Sequence, residues 1–368
     1  MKAKYKLSSI IFSTTTLFLV GGIIYVLFSQ LQENLNTQNI ATGFSFLGYE
    51  AGFEISESLV DYDSFDTYEK ALLVGFLNTI KMAVVGCFFA FFIGLIFGVM
   101  GISKKHALKS FAENYINIIR NIPLLLQLFF WYALFTDIFP NVKEAKSFLG
   151  VLLTNRGFYF PIFTSTFVTF IFIFITGIFL VGILYFCLIR IKKYKIPSFI
   201  CLNLFSLWII TLVFNQLFTV THPTLQGFNI SGGESLSPEF CSLFLGLTIY
   251  TGAFMAEIIR SGILAIDKGQ WEAGRSIGLN DYQLLRFIII PQSFKVSLPP
   301  LISQFLNLTK NSSLAVAIGY PDFVSIANTS MNQTGQAIEL VGLIMAMYLS
   351  LSLISSVTLN FLGRSSRA

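Results

Sequence analysis

Lys310 carries a charge inside an apolar stretch, within the polar run Asn307-Leu-Thr-Lys-Asn-Ser-Ser313. A charge in lipid is costly unless a partner or water stabilises it. Two roles fit this position. Asn307, Lys310 and Ser312 could line a cavity where the ammonium meets a substrate carboxylate. Alternatively, Lys310 pairs with a carboxylate such as Glu257 and holds helices together.

Glu257 and Arg260 are the second candidate pair. They are three residues apart, so on a helix they share a face and can form an ion pair. They fall near the inner end of a predicted span, where Arg260 can extend its head group to the interface. We favour a structural pair, and a gate at this position is the alternative.

Residue patterns of catalysis are missing from the sequence. It contains no GxxxxGK followed by Ser or Thr, no nucleophile elbow and no HExxH. The two histidines are far apart, and the four cysteines show no CxxC spacing. The sequence therefore predicts no catalytic residue, no metal site and no cofactor of its own.

The elements that must position these residues are membrane helices. Of 368 residues, 54% are hydrophobic and 12% are charged, against about 25% charged in soluble domains, and the mean hydropathy is +0.72. This predicts an all-α, polytopic transmembrane bundle. Eight apolar runs are predicted as spans: 10–28, 79–101, 121–139, 161–189, 197–220, 241–265, 298–320 and 338–362.

The basic residues indicate the orientation. With the N-terminus inside, the inner segments hold 18 Lys and Arg and the outer segments hold 4. This bias predicts a multi-pass membrane protein with both termini cytoplasmic. It also accounts for the net charge of +5 without nucleic acid as a partner. The Phe-rich stretch 158–186 is predicted to face membrane lipid.

A cytoplasmic helix-turn-helix is predicted between the sixth and seventh spans. Trp271–Ile277 forms a short helix with Glu272 in its first turn, and Gly278 supplies the positive φ that ends it. Asp281 caps a second helix, which Pro291 closes or kinks.

This stretch resembles the EAA signature of ABC importer permeases, which is an E-A-A triplet, three residues, G, nine residues and I-x-L-P. Glu272, Ala273, Gly278, Ile288 and Pro291 match. Two positions differ, since Gly274 replaces the second Ala and Ile290 replaces Leu. In that family the short helix sits in a cleft of the ATPase subunit. The resemblance therefore implies that Trp271, Glu272, Ala273, Gly274 and Gly278 couple the chain to an ATPase.

Other stretches resemble the polar amino-acid branch of the family. They are Gly75-Phe-Leu-Asn-Thr79, Arg120-Asn-Ile-Pro-Leu-Leu-Leu-Gln127, the pattern Tyr250 to Gly262, and Lys310-Asn-Ser-Ser-Leu314. The long form is similar to the general L-amino-acid permeases. The implied division is a first helix and external loop over 1–70, a permease domain over 71–362 and a cytoplasmic tail over 363–368. Within the domain, core segments 71–139 and 241–362 flank inserted spans over 140–240.

The resemblance implies a type I importer permease that moves L-amino acids across the bacterial inner membrane. Its expected partners are ABC ATPase subunits that hold the ATP and magnesium, a second permease that is a paralogue, a periplasmic amino-acid-binding protein and lipid. Two rival functions remain. An ion-coupled secondary transporter would need intramembrane carboxylates at an ion site, and Glu257 is the nearest candidate. A non-transporting membrane subunit is the other.

Overall fold

The computed structural model describes residues 2–37, 42–145, 147, 150–164, 219–227 and 229–365. The chain forms two compact units, one from residues 1–126 and 246–368 and the other from 127–245. The second unit spans the region predicted as an insertion, with boundaries near residues 140 and 240. Most of the predicted fourth and fifth spans lies outside the described residues.

Ten helices are numbered here in chain order within the described ranges. They are α1 (Lys2–Thr37), α2 (Tyr68–Met100), α3 (His106–Asn121), α4 (Leu124–Ala133), α5 (Pro238–Leu264), α6 (Lys268–Ser276), α7 (Asp281–Leu284), α8 (Ile290–Asn311), α9 (Phe323–Thr334) and α10 (Ala337–Ser365). Short 3₁₀ helices cover Ser45–Gly48 and Ser312–Ile318, and π-helical segments cover Leu134–Ile138 and Leu285–Ile289.

Three described helices are long and apolar enough to cross a membrane. They are α2, α5 and the Ala337–Val357 part of α10. A fourth span is formed if α3 and the helix Leu124–Ile138 count together, but these two are bent by 100°. The apolar part of α1 is the shorter Phe12–Leu27, and α8 is not among the span candidates. The expected eight spans are therefore not confirmed.

The first unit is built around α2, whose 33 residues extend about 50 Å at 1.5 Å per residue. This exceeds the hydrocarbon core of about 30 Å, so one end of α2 extends beyond it. Near one end, Gly94 packs closely on Met255 and Ala256 of α5. Towards the other end, Gly86 contacts Leu308 of α8, and Gly75 contacts Asp322 and Phe323 at the start of α9.

Residues 42–67 of the predicted external loop pack against the first unit. Phe46 and Ala51 are buried in a core cluster with Tyr68 and Ala71 of α2 and with residues of α9 and α10. A bridge between Glu50 and Thr67 closes the base of the segment. These contacts make residues 42–67 part of the first unit.

The second unit contains short strands, which an all-helical prediction does not include. Among its described residues, β1 (Leu152–Thr154), β2 (Gly157–Phe160) and β7 (Glu234–Leu236) form one antiparallel sheet. Two further two-stranded antiparallel sheets pair β3 (Ile162–Thr164) with β4 (Thr219–Thr221), and β5 (Thr224–Gln226) with β6 (Asn229–Ser231). Only short pieces of the predicted spans 161–189 and 197–220 are among the described residues. Residues 162–164 and 219–220 are strands, so the helical prediction is wrong there.

Candidate functional site

The EAA-like residues lie on α6 and the turn that follows it. Helix α6 begins after Asp267, whose side chain accepts a hydrogen bond from the Gly269 N–H at 2.6 Å. The helix therefore starts three residues before the predicted position at Trp271. Glu272 is its fifth residue rather than a first-turn acid, and the expected interaction with the helix dipole is not found.

A left-handed glycine ends α6, as the sequence predicts. Gly278 has a φ of +84°, and its N–H donates to the Arg275 carbonyl at 3.0 Å. The Leu279 N–H donates to the Gly274 carbonyl at 3.2 Å. These two bonds form a Schellman motif, which satisfies carbonyls at the helix end and fixes the direction of the turn.

The cap of α7 is Asn280, not the predicted Asp281. The Asn280 side chain accepts from the Gln283 N–H at 2.9 Å, and the Gln283 side chain accepts from the Asn280 N–H at 3.1 Å. This reciprocal pair is a capping box. Asp281 is consequently the first residue of α7, and its carboxylate is available for other contacts.

Pro291 does not close the helix, which was one of the two outcomes predicted for it. The five residues before Ile290 adopt a π-helical turn, and α8 then starts with Pro291 at its N-terminal end. Proline lacks a backbone N–H and crowds the preceding turn, so the wider π turn accommodates it. The helical path therefore continues from Asp281 to Asn311.

The two faces of α6 differ in exposure. Gly274 is buried, and a side chain there would collide with Leu284 of α7 and contact Ile288. Glu272 and Ala273 are exposed, Trp271 is half-buried, and Ile277 at the helix end is 73% exposed. The predicted coupling residues thus lie together on a short helix that is fixed on one side and open on the other.

Asp281 is the charged centre of this turn. Its carboxylate accepts a hydrogen bond from Lys104 and lies 3.7 Å from the Arg275 guanidinium. The Lys104 ammonium is the larger cause that holds the pKa of the Asp281 carboxyl below its usual range, and Arg275 adds to it. The group is therefore a carboxylate at neutral pH.

The predicted pathway residues do not all point the same way. Asn307 and Lys310 are exposed on α8, one helical turn apart, whereas Ser312 is buried. The Ser312 hydroxyl donates to the Thr309 carbonyl at 2.7 Å, and the Ser313 hydroxyl donates to the Lys310 carbonyl at 2.8 Å. Asn307 and Lys310 are thus accessible at the surface of α8. The Ser312 hydroxyl is instead bonded to the backbone of the preceding turn.

Glu257 pairs with Arg260, as their spacing predicts. The guanidinium donates to both carboxylate oxygens at 2.8 and 2.9 Å, and each side chain is about a quarter exposed. The alternative pair between Lys310 and Glu257 is wrong. No carboxylate of the described ranges lies within 4 Å of the Lys310 ammonium.

Sequence reasoning missed a buried polar contact between α2 and the start of α9. Asn78 is fully buried and donates to the Pro321 carbonyl at 2.9 Å, while the Phe323 N–H donates to Thr79 at 3.0 Å. Asp322, also fully buried, caps α9 by accepting from the Ser325 N–H at 2.8 Å. The family-like stretch Gly75 to Thr79 was the one sequence feature that pointed to this region. Nothing in that stretch predicts that residues 321–323 are its partners.

The described residues contain no group of three or more His, Cys, Asp or Glu side chains placed to hold a metal ion.

Comparison with known proteins identifies the family to which the chain belongs. Residues 194–367 match the model of the binding-protein-dependent transport system inner membrane component. The protein YhdX of Escherichia coli (strain K12) is 41% identical, and the match covers 96% of this chain and 93% of that protein. The general L-amino acid transport system permease protein AapQ of Rhizobium johnstonii is 38% identical, over 97% of this chain and 91% of AapQ.

The chain belongs to the amino-acid ABC transporter permeases. A third relative, the glutamate/glutamine/aspartate/asparagine transport system permease protein BztB of Rhodobacter capsulatus, is 30% identical over 99% of this chain and 97% of BztB. This permease is therefore a transport subunit embedded in the inner membrane. Hydrolysis of ATP takes place on partner ATPase subunits, and a second permease completes the membrane part.

Proposed function

We propose that this permease moves L-amino acids inward and that the segment Trp271–Gly278 is the contact through which the ATPase drives it. The observation that supports the coupling role is the asymmetry of α6. Its Gly274 side is packed on α7, and the Glu272 and Ala273 side is open. A helix that is fixed at its base can transmit movement of a partner bound to its free face.

The substrate class rests on relatives that cover nearly the whole chain. AapQ is named for general L-amino acids and BztB for glutamate, glutamine, aspartate and asparagine. All of these share an α-carboxylate. The exposed Lys310 ammonium and the neighbouring Asn307 amide on α8 offer a cation and a hydrogen-bond donor for that group.

The remaining parts of the proposal concern partners and orientation. A periplasmic amino-acid-binding protein delivers substrate, the second permease is a paralogue, lipid surrounds the spans, and both termini are cytoplasmic. The excess of Lys and Arg in the predicted inner segments supports this orientation. Closure of the ATPases on the cytoplasmic helices would then shift the permease pair between inward-open and outward-open states.

Uptake by the complete complex tests the coupling role. We would reconstitute the permease with its ATPase, second permease and binding protein in vesicles and measure labelled amino-acid uptake for Glu272→Arg. We expect ATP-dependent uptake to be lost while the protein still inserts. The matched control is Glu69→Arg, which reverses an exposed carboxylate in the first turn of α2, at the end of that helix opposite Lys104, and should leave uptake intact. Uptake that continues without ATP would support the ion-coupled transporter instead.

The substrate role of Lys310 has its own test. Lys310→Gln removes the charge but keeps a polar side chain, so uptake of amino acids should fall while ATPase activity in the absence of substrate stays the same. Lys70→Gln is the control, because Lys70 pairs with Asp66 near the start of α2, 16 residues before Gly86, where that helix contacts Leu308. Equal losses in the two variants would argue against a carboxylate site at Lys310.

A further inference from the structure

Asp281 joins three segments that are far apart in the sequence. Its carboxylate binds Lys104, which is 177 residues earlier, in the connector between α2 and α3. It also faces Arg275 of α6. One acidic side chain therefore bridges the coupling helix, the start of α7 and the inner end of the hairpin formed by α2 and α3.

This carboxylate has no role in capping. Asn280 and Gln283 already form the capping box, in which each side chain accepts from the other residue's backbone N–H. The turn between α6 and α7 is likewise fixed by Gly278 and the Schellman bonds. The local fold therefore does not require a charge at position 281, and the two cations are its main contacts.

We propose that Asp281 is a positioning residue that links α6, through Lys104, to the connector that follows α2. This inference rests on the coupling role proposed above. The covalent route runs from α6 through α7 into α8, supported by the hydrogen bond from Gln292 to Gln270 at 3.1 Å. The second route runs from α6 through Asp281 and Lys104 into α2, which packs on α5, α8 and α9. A displacement of α6 thus reaches two sides of the helical bundle at once.

Because these groups are exposed, the pair can contribute to coupling without contributing much to the stability of the folded permease. Lys104 is 78% exposed and Asp281 is 55% exposed, so water weakens their attraction in the isolated permease and the pair adds little to stability. When an ATPase covers α6, water is displaced and the same charges interact more strongly. Loss of the pair should therefore affect the assembled transporter and leave the folded permease unchanged.

The experiment uses the complete transporter in vesicles and measures amino acid taken up per ATP hydrolysed, together with the unfolding temperature of the permease. We expect Asp281→Asn and Lys104→Gln each to lower the uptake-per-ATP ratio severalfold without changing the unfolding temperature. The control is Glu69→Gln, which neutralises an exposed carboxylate in the first turn of α2 and should leave the ratio unchanged.

Charge exchange then tests whether the pair itself matters. In an Arg275→Gln background, which removes the like charge, either reversal should lower the ratio below that of Arg275→Gln alone, and Lys104→Glu with Asp281→Lys should return it to that reference value. Ratios that stay normal in the single variants, or that the exchange fails to restore, would overturn the inference. Glu272→Arg in the same preparation separates the two proposals. If it uncouples the transporter while the Asp281 variants do not, the coupling role stands and the second route does not exist.

Discussion

Gly274 of α6 lies directly against the side chain of Leu284 on α7. Leu284 is fully buried, and its terminal methyl occupies the space that a side chain at position 274 would need. This contact holds the coupling helix against the helix that continues into α8. The replacement of the second alanine of the EAA signature by glycine therefore has a steric consequence, because it lets α6 approach α7 more closely.

Enlarging residue 274 should separate the two helices. We expect Gly274→Val to abolish most ATP-dependent uptake, because the added atoms displace α6 from Leu284. Overpacking of this kind costs about 1–3 kcal/mol. Uptake in vesicles and thermal unfolding of the purified permease would measure the two effects.

A second substitution checks the steric reason. Leu284→Ala removes the opposing atoms, so Gly274→Val combined with Leu284→Ala should lose less than the sum of the two single variants. Gly342→Val is the control, because no atom lies within 4 Å of the position a side chain would take there. Strict additivity of the two losses would contradict the packing explanation.

The left-handed turn at Gly278 gives a purely conformational prediction. No atom lies within 4 Å of a side chain built at this position, so only its φ of +84° opposes substitution. Gly278→Ala should cost about 1–2 kcal/mol and lower uptake. Gly278→Asn should cost less, since Asn tolerates this region, and the unfolding temperatures of both variants would show the order. Equal effects of Ala and Asn would mean that something other than backbone conformation matters here.

Local signals in the sequence predicted the turn between α6 and α7 well. Gly278 ends a helix for reasons that its immediate neighbours contain, and the structure confirms the positive φ. The cap was assigned one residue too late, because Asn and Asp are comparable caps. The reciprocal bond to Gln283 decides between them in favour of Asn280.

Long-range partners could not be predicted in the same way. The contact between Lys104 and Asp281 and the bond from Asn78 to the Pro321 carbonyl each depend on the packing of distant helices. The strands of the second unit escaped notice because each has three or four residues, too few for a period of two to stand out. Composition therefore identified the membrane class, while these particular contacts required the structure.

The buried Asp322 should make stability depend on pH. Burial is the largest effect on its carboxyl and raises the pKa to about 7, against opposing hydrogen bonds from the Ser325 and Val324 N–H groups and the Tyr348 hydroxyl. Between the unfolded pKa near 4 and this value, the folded chain holds a proton that the unfolded chain has released. Folding is therefore more favourable at the lower end of this window and loses that advantage as the pH rises through about 7.

Asp322→Asn provides the measurement. The amide oxygen keeps the cap on the Ser325 N–H but does not titrate. We expect the unfolding temperature of the purified permease to fall between about pH 5 and about pH 8, and the variant to show a smaller slope. Parallel slopes for the two proteins would exclude Asp322 as the titrating group.

Substitutions in the pair of Glu257 and Arg260 test whether that pair has a structural role or acts as a gate. Both oxygens of the carboxylate are bound and both side chains are about three-quarters buried, so Glu257→Gln leaves a partly buried guanidinium without its charge partner. We expect this variant to lose about 2 kcal/mol of unfolding free energy, and the double variant Glu257→Gln with Arg260→Gln to lose less than the two single losses combined. Lys104→Gln, which disrupts the exposed pair with Asp281, should have little effect on the unfolding free energy. If Glu257→Gln instead leaves the unfolding temperature unchanged and alters the uptake rate, the pair acts in transport, as a gate would, and the structural interpretation is wrong.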